Sequence, residues 1–120
     1  MKMIPKPFAE GQTVVQLEGD VDVFADGSVM IVATPGHTPG HQSLLVKLPK
    51  TGAVILTGDL VHLQVSWEKK LVPSFNFNKE QSLASIARIQ LMMDQHKAQL
   101  WIGHDKENTA KVERAPKFYE

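Results

Sequence analysis

Thr34-Pro35-Gly36-His37-Thr38-Pro39-Gly40-His41-Gln42-Ser43 follows directly on an apolar run, Val29-Met30-Ile31-Val32, and its reading sets that of the rest of the chain. The run predicts a buried strand over residues 28–34. It must stop at Pro35-Gly36, because proline cannot donate to a sheet ladder and glycine admits a sharp turn. His37 is therefore predicted just past a strand end. The same arrangement recurs twice downstream, where Asp59 follows Gly58 and the strand-like segment 53–57, and His104 follows Gly103 and the segment 99–102. Side chains just beyond strand ends can converge at one edge of a sheet. Two imidazoles and one carboxylate suit zinc, iron or manganese and leave positions open for water and substrate. Taken singly, a loop histidine more often serves an ordinary hydrogen bond, and Gly-Asp after a strand more often marks a plain turn.

Between these points the sequence predicts a strand over Gln42–Leu48, a turn at Pro49-Lys50-Thr51-Gly52, and an amphipathic helix from Lys79 to about Gln95. Asn78 is its N-cap, Gln81 follows three residues on, and Leu83, Ile86, Ile89 and Met93 form the apolar stripe. Upstream, Val14, Val15 and Leu17 read as a short strand, and Val21 and Val23 alternate with Asp20 and Asp22 around Glu18-Gly19-Asp20 as in a half-buried hairpin. The tail 107–120 is polar, with Val112, Phe118 and Tyr119 able to dock. The expected class is a layered α/β (α+β) unit with a mostly antiparallel or mixed sheet and one long helix.

Composition narrows the function. Thirteen Lys and Arg balance thirteen Asp and Glu, so no general field draws the chain to nucleic acid or an anionic membrane, and a small-molecule substrate fits better. With no cysteine, any metal must be held by His and carboxylate. The 120 residues allow one domain. Met1-Lys2-Met3-Ile4-Pro5-Lys6-Pro7 lacks the apolar core of a signal peptide, which makes a cytoplasmic protein the expectation.

The string from Thr34 to Ser43 resembles the fourth histidine motif of the metallo-β-lactamase superfamily, Leu56-Thr57-Gly58-Asp59 its next motif, and Ile102-Gly103-His104-Asp105 its last. The order and the intervals of 22 and 45 residues agree with that pattern. As a whole the string looks most like N-acyl homoserine lactonases and their relatives. The resemblance implies that His37 binds one metal, Asp59 bridges two, and His104 binds the other, with zinc, up to two ions, as the cofactor. It gives His41 and Thr38 a supporting place behind the ligands. His62, three residues after Asp59, falls where such enzymes place a substrate-facing side chain, so Asp59 and His62 are the catalytic candidates; a solvent-facing loop histidine is the plain alternative.

The family's first metal motif, His-x-His-x-Asp-His, does not occur among His37, His41, His62, His96 and His104. The resemblance thus covers the C-terminal half of an αββα sandwich, and residues 1–120 are expected to form a single partial domain. Such a half-sandwich would expose the inner face of its sheet, which predicts a homodimer or pairing with an N-terminal half. The function implied is lactone or ester hydrolysis by metal-activated water. The competing readings are a non-catalytic α/β module that binds another protein and a composite site shared by two copies. For Trp67, Phe75 and Phe77, core packing is favoured over an acyl-chain site.

Overall fold

A computed structural model describes residues 9–120. The expectation drawn from Met1–Pro7 lies outside them. The order is β1 (Val21–Asp22), β2 (Val29–Ala33), β3 (Gln42–Leu48), β4 (Gly52–Leu56), a 3₁₀ turn (Gly58–Leu60), α1 (Gln64–Lys69), α2 (Lys79–His96), β5 (Gln99–Trp101) and α3 (Lys106–Ala110). The five strands form one sheet in sequence order; the first three pairings are antiparallel and β4–β5 is parallel. This is the mixed α/β architecture with one long helix that the sequence predicts.

Register divides the sheet into two faces. Met30, Leu45, Ile55 and Leu100 pair across β2 to β5, with Val32 on the same face. Against this face α2 sets Ile86 and Ile89, and Leu60, Val61, Trp67, Ala98 and Ile102 complete the core. Ile55 and Ile89 are wholly buried, each contributing about 1.5–3 kcal/mol of hydrophobic stabilisation. The other face carries Ile31, Leu44, Leu56 and Trp101 in one cross-strand row and Val29, Val46 and Val54 in the next. All but Val54 are only half-buried. Part of this second face is crossed by the C-terminal tail. Tyr119 packs edge-on against Trp101 with ring centroids 4.8 Å apart, and the Glu120 carbonyl accepts from the Lys50 and Thr51 amides in the β3–β4 turn. Of the other apolar tail residues, Val112 is half-buried whereas Phe118 is 75% exposed.

Helix α2 begins as its sequence predicts: the Asn78 side chain accepts from the Gln81 amide at 2.9 Å. It ends at Lys97, whose left-handed backbone returns its N–H to the Met93 carbonyl. The buried stripe differs from the one expected. Ser82 and Ser85 are buried while Leu83 and Met93 are only half-buried. The reason is the loop after β2, which lies against the first turns of α2 and leaves room only for small side chains.

Two further expectations fail. Residues 12–18 form no strand, and Val14 and Val15 are 49% and 74% exposed. This apolar segment meets no partner strand; the hairpin that forms pairs Val21–Asp22 with Met30–Ile31 instead, turning through residues 23–28. There Asp22 accepts from the Gly27 amide and Asp26 from the Ser28 amide. Of the three aromatics assigned to the core, only Trp67 enters it; Phe75 and Phe77 are 71% and 64% exposed. Helices α1 and α3 were not legible, each being too short for periodicity to register. Among the described residues no helix is long and apolar enough to cross a membrane.

A polar clamp ties the chain before β1 to the sheet and to α2. The Asp20 carboxylate accepts from the Ala33 amide at 2.9 Å and from both terminal nitrogens of Arg88, whose Nη1 also donates to the Ala33 carbonyl. The Arg88 hydrogen bond, supported by the Ala33 amide against partial burial, holds the Asp20 carboxyl below its ordinary value of 3.8. A depressed folded-state pKa contributes stability above the ordinary value that is lost as pH falls through the folded one. Asp20→Asn should therefore cost about 1 kcal/mol or less near neutrality, since the pair is partly exposed. In urea melts at a series of pH values, the gap from wild type should close below pH ~4.

Candidate metal centre

The strand directions bring the three expected positions together. β2, β4 and β5 run one way and β3 the other, so the chain leaves β2, β4 and β5 at a single edge of the sheet. His37, Asp59 and His104 all sit there. Asp59 Oδ1 lies 2.8 Å from His104 Nε2 and 3.6 Å from His62 Nε2, and Asp59 Oδ2 lies 3.5 Å from His37 Nε2. One donor atom from each of Asp59, His62 and His104 lies within 4.8 Å of the others, close enough to hold a metal ion. The rings of His37 and His62 are 5.6 Å apart and those of His62 and His104 5.1 Å. Three imidazole nitrogens around one carboxylate make a donor set for a divalent transition metal. The His104 hydrogen bond is the main reason that the Asp59 carboxyl is held below its ordinary value, with the His37 and His62 rings adding to it.

Each donor is fixed by its own local structure. Asp59 lies in the 3₁₀ turn, launched by Gly58 at φ +56, where a side chain would press on the His41 ring at 3.0 Å. His37 Nδ1 donates to Asn76 Oδ1 at 3.1 Å, which turns Nε2 toward Asp59; an orienting bond to the far nitrogen is the usual companion of a metal-binding histidine. His104 is followed by Asp105, whose carboxylate accepts from the Asn108 amide to start α3 and from the Gln64 amide at the start of α1. The edge of the Phe75 ring meets His37, with centroids 6.1 Å apart, on the exposed side.

His41 has a different task. Its Nε2 accepts from the Asp59 amide at 2.9 Å and its Nδ1 lies 3.0 Å from the Thr34 carbonyl and 2.9 Å from Thr34 Oγ1. Both nitrogens are thus engaged and the ring is neutral, with burial as the main cause of its lowered pKa. Thr34 Oγ1 bonds to Ser43 Oγ, which donates to the Thr57 carbonyl. With Ser43 donating onward, the buried relay runs one way from Asp59 N–H through His41, Thr34 and Ser43 to Thr57. Thr38 takes part through its backbone carbonyl, which accepts from the Gly36 and His41 amides.

The loop bearing His37 is seated on α2. Gly36 adopts φ +140, and a Cβ there would fall 2.4 Å from the Ser82 amide nitrogen. The Gly36 and His37 carbonyls accept from Asn78 and Phe77, and Ser85 Oγ donates to the Pro35 carbonyl at 2.7 Å. Asn76 and the serines of α2 escape a reading of the sequence because their partners lie tens of residues away. Thr34 and Ser43 stand within the motif, but their inward hydroxyls become legible only once β2 and β3 are paired. Beside the donor group, Gly58 and Gly103 border a cleft of about 310 Å³ that is also lined by Leu56, Trp101, Ile102 and Val112.

No family model matches the chain. Among curated proteins, it is 38% identical over 98 residues to the N-acyl homoserine lactonase AttM of Rhizobium radiobacter, covering 82% of this chain and 37% of that one. It is 37% identical over 102 residues to an N-acyl homoserine lactonase of Bacillus sp., covering 85% and 40%. A solved N-acyl homoserine lactone hydrolase, with N-hexanoyl-L-homoserine bound at its catalytic metal centre, superimposes with a TM-score of 0.77 at 35% identity over 87% of this chain and 40% of that one. A probable metal-dependent hydrolase from Staphylococcus aureus shares the fold, with a TM-score of 0.65 at 15% identity over 77% and 32%. The chain spans about two fifths of the length of the curated relatives named here.

The seating of Gly36 on Ser82 generates a prediction. Gly36→Ala should destabilise by about 2–4 kcal/mol, combining backbone strain with overpacking. Gly40→Ala, where a side chain meets nothing within 4 Å, should stay within about 0.5 kcal/mol of wild type. Chemical denaturation of both variants checks the contrast.

Proposed function

Because this chain belongs to the metallo-β-lactamase superfamily, as part of a lactonase-like member, we propose that it contributes to a metal-dependent hydrolase that opens a small lactone or ester. The observation that carries the reading is the convergence of His37, His62 and His104 on the single carboxylate of Asp59. Zinc is the favoured ion, since imidazole and carboxylate donors suit it and no thiolate is available. His37, Asp59 and His104 are the ligands of this reading. His62 faces the substrate, and His41 and Thr38 hold the loop behind the ligands.

A bound divalent ion would supply Lewis-acid polarisation of the substrate carbonyl and a water that is nucleophilic near neutral pH. The chain's own residues set the geometry. Asn76 turns His37, the relay through His41 holds the Asp59 backbone, and the Asp105 cap places His104. Water adds to the acyl carbon, the ester C–O bond breaks, and the products are a carboxylate and an alcohol. The lactonase names of the relatives support a lactone as that ester.

The half-buried apolar row Ile31, Leu44, Leu56 and Trp101 supports a second element of the proposal. Residues 1–120 act as a partial domain that pairs through this face, with a second copy or with further chain that supplies more ligands and a second metal position.

Asp59→Asn should lose metal in elemental analysis and lower hydrolysis of an N-acyl homoserine lactone by about 100-fold or more, with an unchanged circular dichroism spectrum. Retained metal and retained partner binding would instead favour a non-catalytic interaction module. Rate against protein concentration separates the assemblies: a steeper than linear rise marks a site shared between copies. A monomer in size-exclusion chromatography at neutral pH would remove the self-pairing element.

A further inference from the structure

We propose that the β3–β4 turn is a binding site for an acidic peptide end, filled within this chain by Glu120, and that this capture locks the tail from Lys111 to Glu120 as a strap across Trp101 on the edge strand β5. The inference is independent of the metal-site reading. The turn precedes β4, whereas the donor group follows it, so the two sites lie at opposite ends of the strand.

The turn presents four donors to one residue. The successive amides of Lys50 and Thr51 donate to the Glu120 main-chain oxygen at 2.8 and 2.6 Å, and Thr51 Oγ1 donates to the same oxygen at 3.0 Å. The Lys50 ammonium pairs with the Glu120 side-chain carboxylate. Gly52, at φ +85, takes the left-handed backbone that returns the chain into β4 directly after these amides. Successive main-chain amides in a turn form a concavity that binds anions, and capture of a carboxylate in such a concavity is a recurrent mode of peptide recognition. An exposed Lys–Glu pair alone contributes little. Three donors on one oxygen, with an ammonium beside them, separate this site from an ordinary surface ion pair.

The remainder of the tail shows what the capture holds in place. Residues 113–119 are closed on themselves: Tyr119 Oη accepts from the Glu113 amide at 2.7 Å, Lys117 Nζ donates to Glu113 Oε1 at 2.8 Å, and the Lys117 amide donates to the Arg114 carbonyl at 3.1 Å. Among the described residues, every hydrogen bond from residues 113–120 to another part of the chain ends on Lys50 or Thr51. The apolar hold is the edge-on contact of Tyr119 with Trp101, ring centroids 4.8 Å apart, and the half-buried Val112. Packing around it is loose, because two clefts of about 310 Å³ each border both Trp101 and Val112. A segment with so few buried contacts opens locally at small cost, so the far end decides whether it stays down. Releasing Glu120 frees Tyr119 and uncovers Trp101.

The test is made by nuclear magnetic resonance on the 120-residue chain and on the same chain lacking Glu120. Exchange of the Lys50 and Thr51 amides with water should be about 10-fold or more slower in the full chain, and Overhauser contacts between the Tyr119 and Trp101 rings should be present in it and lost without Glu120. The peptide acetyl-Phe-Tyr-Glu, with a free terminal carboxylate, should shift the Lys50 and Thr51 amides of the shortened chain saturably. Amidated acetyl-Phe-Tyr-Gln should bind it about 10-fold or more weakly. Should the shortened chain not fold, the full chain decides alone: the free-carboxylate peptide must displace Tyr119 from Trp101 and the amidated one must not. Equal exchange rates in the two chains, equal binding of the two peptides, or no Tyr119–Trp101 contact in the full chain would each overturn the inference, and none of these outcomes bears on metal binding.

Discussion

The parallel pairing of β4 with β5, with Leu56 opposite Trp101, is the constraint on which the rest depends. Parallel neighbours need a crossover connection, and here that connection includes α2, which covers the core face of the sheet. The pairing also sends two chain segments out of the same edge, one ending in Asp59 and the other in His104. The Thr57 amide extends it by donating to the Trp101 carbonyl at 3.2 Å, just before the two segments diverge toward Asp59 and His104. An antiparallel β5 would have placed His104 at the opposite end of the sheet.

The second requirement is polar order beneath the site. Thr34, Ser43 and Thr57 are 1%, 2% and 0% exposed, yet their hydroxyls are hydrogen-bonded. Buried polar groups are costly unless paired, and a paired set specifies one arrangement. The neighbouring contact of Gly36 with Ser82 works by shape instead. Small residues on both sides let the loop reach the helix closely enough for backbone carbonyls to find amides.

Much of this was legible in the sequence, for identifiable reasons. β2, β3 and β4 are apolar runs bounded by proline and glycine, and α2 carries a full cap and more than four turns of periodicity, so local signals and tertiary packing agree. The convergence of His37, Asp59 and His104 could be anticipated from glycine-marked strand ends. What failed depended on partners distant in the chain. Val14, Val15 and Leu17 are apolar like a short strand but meet no neighbouring strand. Phe75 and Phe77 are apolar but fall in the loop before α2, outside the core. Ser82 and Ser85 look like surface positions until the loop after β2 lands on them. The orienting role of Asn76 had no local signal at all, since it is set by a contact 39 residues distant.

The hydrogen-bonded relay starts at the Asp59 amide and ends at the carbonyl of Thr57, only two residues earlier in the chain, so it closes a ring through the ends of β2, β3 and β4. A ring of this kind has no weakest outer link from which to fray. The Asp59 amide is covered by His41, whose other nitrogen is held by Thr34, itself bonded to Ser43. Movement of the loop between β2 and β3 and opening of the sheet edge therefore draw on the same hydrogen bonds.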